Sequence, residues 1–190
     1  MFKELAHVVT YTKYRMRVIF LLTVSFLAAC DPQVFDPVTT AQPYIGLQER
    51  HDRTTIREFV GVDPVRTEWC AAFVNAILEV SNIPGSASVS DHPLMARSFL
   101  EWGEPVEVDQ IQRGDVVVFP RGSASWQGHV GFYIQTETHN NRKRWIILGG
   151  NQNNQVRYES FDPGRAIAIR RHKPLVAIEQ MSTSEHLNTE

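Results

Sequence analysis

Cysteine is scarce in this 190-residue chain, which holds only Cys30 and Cys70. Two thiols cannot build a thiolate cage, and the seven histidines show no zinc-ligand spacing, so neither a metal nor a cofactor is implied. Positive charge is not in excess either. Nineteen Lys and Arg against 21 Asp and Glu give a net charge of −2, which argues against a nucleic-acid partner. There is no internal repeat, and nothing points to an oligomeric state. The one long apolar run, residues 18–29, is too short to span a bilayer comfortably. What remains is an ordinary 43% hydrophobic content, enough for one domain with tails.

The apolar run follows Arg15 and Arg17 and has the length of a signal-peptide core. It ends in Leu27-Ala28-Ala29-Cys30, which resembles the lipobox of bacterial lipoproteins. That resemblance implies cleavage before Cys30, acylation of its sulfur and amino group, and a membrane anchor facing the periplasm. Asp31 favours retention at the inner membrane. The first 15 residues are superfluous for such a signal, which makes Met16 a candidate start. With Cys30 acylated, Cys70 has no disulfide partner and stays a free thiol in an oxidising compartment.

Four segments follow from composition. Residues 1–30 are the signal, and residues 31–43, with Pro32, Pro37 and Pro43, read as an extended tether. Residues 44–173 form the domain, and residues 174–190 are a polar tail. Within the domain a charged helix is expected over 46–60, with Glu49 and Arg53 at i,i+4 and Leu47, Ile56 and Phe59 on its apolar face. Gly61-Val62-Asp63-Pro64 breaks it. Thr67 is placed to cap a second helix whose Phe73, Ala76, Ile77 and Val80 share a face. Only Asn75, Glu79 and Asn82 form a polar stripe, so this helix is central and buried. Pro84-Gly85 ends it, and a shorter helix is expected over 93–102. The period then changes to that of strands at 115–119, 130–135, 145–148, 156–160 and 166–169. Residues 139–144 read as a hairpin tip, and Asp162-Pro163-Gly164 as a turn. Helices first and strands afterwards argue for an α+β domain with a small antiparallel sheet of about five strands.

Chemistry gathers at three places. Cys70 opens the central helix, where unpaired backbone N–H groups and the helix dipole favour a thiolate. His129, flanked by Gly128 and Val130-Gly131 at the start of a strand, is the candidate general base and acid. Asn151, after Gly149-Gly150, is the candidate to orient the imidazole. Gln152 is the alternative for that role, and otherwise a substrate contact. Asp115 is a weaker competitor, better read as part of a turn. An imidazolium close to the thiol would lower its pKa, so activity is expected to need thiolate and imidazolium together. Glu68 would raise the thiol pKa if turned inward, and is expected to face solvent or pair with an arginine. Trp126, Gln127 and the loop 121–125 are candidate cleft walls, while Trp69 belongs in the core. The Cys70 N–H is one oxyanion donor, with the second unassigned.

Taken together, Trp69-Cys70-Ala71-Ala72-Phe73-Val74-Asn75, Gly114-Asp115-Val116-Val117-Val118-Phe119, Trp126-Gln127-Gly128-His129-Val130-Gly131-Phe132 and Leu148-Gly149-Gly150-Asn151-Gln152 resemble the CHAP-type branch of the NlpC/P60 superfamily of cysteine peptidases and amidases. The likeness runs from about residue 46 to residue 172. It implies a papain-like α+β fold with Cys70 as nucleophile, His129 as base and Asn151 as the orienting group. The implied partner is peptidoglycan, cut within its stem peptides or between glycan and peptide by an N-acetylmuramoyl-L-alanine amidase reaction. Two other functions share these residues: a non-catalytic lipoprotein that binds peptidoglycan, and a thiol acyltransferase on another substrate.

Overall fold

The computed structural model describes residues 33–172. The signal segment, the candidate start Met16, the lipidation site Cys30 and the tail 174–190 lie outside the described residues.

Among the described residues three α-helices precede a six-stranded sheet, in α+β order. The helices are α1 (Pro37–Ala41), α2 (Arg53–Val60) and α3 (Cys70–Val80). The strands are β1 (Glu104–Pro105), β2 (Val116–Pro120), β3 (Gly128–His139), β4 (Arg142–Gln152), β5 (Gln155–Phe161) and β6 (Ala168–Arg171). They lie in the order β1-β6-β2-β3-β4-β5, and every neighbouring pair is antiparallel. Period-two alternation gives the sheet two apolar faces. Val116, Val118, Val130, Phe132 and Leu148 join Phe73, Val74 and Ile77 of α3 in the main core. Val117, Phe119, Tyr133, Trp145, Ile147 and Ile169 form a second cluster on the opposite face.

Several expectations change here. The proline-rich stretch is no free tether along its whole length. Asp36 accepts hydrogen bonds from the Val38 and Thr39 N–H groups and caps α1, with Pro37 at the first helical position. Proline there is preorganised for a helix, a signal that composition alone reads as extended chain. Val38 and Ala41 are fully buried, and the Phe35 N–H bonds the Ser81 carbonyl, so the folded domain begins near Phe35. The helix expected over 46–60 is helical only at Arg53–Val60, because Gln48 is spent on a bridge to Gln155 in β5. Gly61 ends it in the left-handed conformation that glycine allows. Thr67 caps nothing: Trp69 is the N-cap of α3, with no side-chain capping bond. The helix expected over 93–102 is a 3₁₀ segment, Ala96–Leu100. A sixth strand, β1, was invisible to periodicity, having only two residues, both exposed.

Asp115 is buried and takes a bidentate pair from Arg171, with Nε–Oδ1 at 2.7 Å and Nη2–Oδ2 at 2.8 Å. It also accepts the Gln112 N–H. With both oxygens committed to the turn and to β6, it is structural.

Candidate active site

Cys70 is the first residue of α3, and packing fixes that helix start. Trp69 and Phe73 meet edge to face at 6.3 Å, and both press on Gly150 of β4. A β-carbon at Gly150 would lie 2.5 Å from Trp69 and 2.6 Å from Phe73. Gly150→Ala should therefore destabilise the domain by about 1–3 kcal/mol, read as a lower urea midpoint. An unchanged midpoint would mean that the strand and α3 separate freely.

The Cys70 side chain is 3% exposed and lines a cleft of about 340 Å³. Burial pushes its thiol above the ordinary value. The N–H groups of Val130 and Ala71, which hydrogen-bond to the sulfur, and the Arg121 charge oppose this rise, while Glu68 adds to it. At rest the sulfur is protonated.

His129 lies opposite Phe119 across β2 and β3, and its ring joins the second cluster. It stacks on Phe161 with centroids 5.5 Å apart and planes 9° from parallel, and Phe161 stacks in turn on Phe119 at 4.5 Å. Nε2 is 2.9 Å from Gln152 Oε1. The orientation of the Gln152 amide is settled by its other end, where Nε2 donates to the carbonyls of Ile147 and Arg157. Oε1 must then accept from the ring, so His129 carries its proton on Nε2 and leaves Nδ1 as the basic atom.

Burial lowers the His129 pKa to about 4, against the Gln152 hydrogen bond, which raises it; the Arg121 charge lowers it further. The resting pair is thus neutral thiol and neutral imidazole. This corrects the expected thiolate–imidazolium pair: both groups are desolvated, and desolvation disfavours both charges. No hydrogen bond joins sulfur and ring among the described residues. The sulfur takes the N–H of Val130, one residue beyond His129, and the ring spends Nε2 on Gln152.

A folded-state pKa of about 4 against an ordinary 6.5 has a consequence for stability. The unfolded chain binds the proton first, so stability is full above about pH 6.5 and falls as pH drops towards 4. The loss due to His129 is about 3 kcal/mol. His172, also lowered by burial, adds to the same window. Urea unfolding at pH 7 and pH 4 should show a smaller difference in His129→Asn than in wild type. Equal differences would mean that His129 is not buried neutral.

Asn151 does not reach the ring. Its Nδ2 donates to Glu68 Oε2 at 2.7 Å. Gln152 takes the orienting place, and with 2% exposure and its amide committed inside the fold it is no substrate contact. The cause is a break in the pleat. The β4–β5 register shifts between Gly149 and Gln152, and Asn151 sits in the left-handed region at φ 56°. Its neighbour rather than Asn151 itself turns to the His129 face. Gly149 makes room, since a β-carbon there would lie 3.2 Å from Gln152 Oε1. Two glycines before an asparagine inside a strand pattern signal such a bulge.

Glu68 pairs with Arg121, Nη1 to Oε2 at 3.0 Å, at the cleft it shares with Cys70. Trp69 is fully buried, whereas Trp126 lines the cleft and is 61% exposed. Gln127 also lines it, and holds its own loop by accepting from the Ala124 N–H. Leu94 and Met95, which also line the cleft, were not anticipated. Asn75 explains their placement. Placed by pattern on the polar stripe, Asn75 donates to the Pro93 carbonyl at 2.8 Å and accepts from the Ser86 N–H at 2.7 Å, pinning the loop before Leu94. Among the described residues no group of three or more His, Cys, Asp or Glu could hold a metal ion. Compared with known proteins, the chain matches no family model and no curated sequence.

Proposed function

We propose that this protein is a cysteine hydrolase of the cell envelope, built on a papain-like fold and acting on amide bonds of peptidoglycan. The observation that carries the reading is His129 held by Gln152 in one tautomer, with its basic Nδ1 unspent, on the strand whose next N–H touches the Cys70 sulfur. Catalytic hydrogen bonds are often long in a free enzyme and close when substrate binds.

For turnover the His129 ring, packed at rest on Phe161 in the cluster away from α3, must bring Nδ1 to the Cys70 sulfur, where it takes the thiol proton as sulfur attacks the amide carbon. The Cys70 N–H, at the unpaired start of α3, donates to the developing oxyanion. The imidazolium then protonates the leaving amine, giving a thioester. Water, deprotonated by the neutral ring, releases the acid and restores the thiol. Residues 1–30 supply export and a lipid on Cys30. Because the fold begins near Phe35, a lipidated Cys30 stands only a few residues before the domain in sequence.

The raised thiol pKa and the missing sulfur–ring bond favour a second reading, a lipoprotein that binds muropeptide without cutting it. Digestion of sacculi followed by mass spectrometry separates the two. Fragments with one kind of new amine and carboxyl end name the scissile bond, and intact sacculi remove the hydrolase reading.

A further inference from the structure

The cleft beside Cys70 carries one cation and one anion on otherwise apolar or uncharged walls. We infer that Arg121 selects substrates with a free carboxylate close to the scissile amide. Arg121 lines the same cleft as the sulfur, and its charge is felt at both Cys70 and His129. Its guanidinium meets Glu68 with Nη1 at 3.0 Å from Oε2. The Glu68 oxygen that meets it is shared with the Asn151 amide, and among the described residues the guanidinium has no other hydrogen-bond partner. Glu68 itself is 74% exposed on its side chain, so the pair is a weak surface contact that a ligand can share or displace. A guanidinium fork matches a carboxylate in two parallel hydrogen bonds, which a carboxamide cannot reproduce. Trp126, Leu94 and Met95 beside it offer apolar contact for short alkyl groups flanking that carboxylate. Glu68 plays the converse part. It occupies Arg121 when the cleft is empty and repels acidic ligands that cannot engage the arginine.

The inference rests on the hydrolase reading for turnover but not for binding, so two arms keep the failures apart. In the first, full-length Cys70→Ala is titrated calorimetrically with a disaccharide tetrapeptide and with versions in which each carboxylate in turn is amidated. One amidation should weaken binding by about 10- to 100-fold, the ratio expected for a charged hydrogen-bonded pair. The ratio should fall to about one in Cys70→Ala/Arg121→Ala and recover in part in Cys70→Ala/Arg121→Lys. Cys70→Ala/Glu68→Gln, which keeps an acceptor for Asn151, should bind the free acid several-fold more tightly. In the second arm, wild type should show the same discrimination in kcat/KM. If no amidation matters, or the Arg121→Ala form discriminates as well, the inference fails. Turnover without discrimination overturns it while the hydrolase stands. Discrimination in binding with no turnover by wild type upholds it and removes the hydrolase.

Discussion

Cys70→Ala should release fragments from sacculi at least ~10³-fold more slowly than wild type, with an unfolding midpoint close to wild type. The two halves of that result have different causes. In the proposed hydrolase the sulfur makes the only bond to the acyl group, and neither a neutral imidazole nor a helix N-terminus can replace it. The fold, by contrast, barely depends on that atom. Cys70 is a small buried side chain at a helix start, and its neighbours Trp69 and Phe73 keep their contacts with Gly150 when one sulfur is removed. The readout is soluble product per unit time, with circular dichroism as the check on folding. Equal release by the variant would remove Cys70 from the chemistry and the hydrolase with it. Loss of both release and folding would show that the sulfur is needed structurally. Cys70→Ser, which keeps an atom and a hydroxyl in that place, would then have to fold and still be slow.

What the sequence could say about this region depended on how local the cause was. The buried character of α3 was readable from Phe73, Ile77 and Leu78, because burial of a helix face leaves a periodic trace. The strands showed for the same reason, though each end was uncertain. The 31–43 stretch was misread because Asp36 and Pro37 carry a short helix whose meaning comes from Val38 and Ala41 packing inward, a tertiary fact. Asn75 was misread similarly. An asparagine on a helix looks solvated until a loop 11 to 18 residues on, at Ser86 and Pro93, is seen to need its amide. The assignment between Asn151 and Gln152 turned on one residue of register, and period-two reasoning fails at a bulge. Phe161, which stacks on the His129 ring, sits 32 positions away with no motif around it.

The second large effect distinguishes those two amides. Gln152→Ala should lower kcat by about 10²- to 10⁴-fold, because the ring loses the acceptor that fixes its tautomer and the proton moves freely between Nε2 and Nδ1. Asn151→Ala removes only a donor to an exposed carboxylate and should cost a few-fold at most. Gln152→Glu gives the sharper test, since a carboxylate keeps the acceptor and changes the charge. It stabilises the imidazolium, so the His129 pKa should climb from about 4, and the acid limb of kcat/KM should move up in pH with it. Wild type, whose base is already neutral above about pH 4, should show its acid limb there. The glutamate also leaves the carbonyls of Ile147 and Arg157 without their donor, so a lower unfolding midpoint is expected beside the shifted limb. If the limb stays put in Gln152→Glu while Asn151→Ala is the slow variant, the ring is oriented from the other amide during turnover, and the bulge must rearrange when substrate binds.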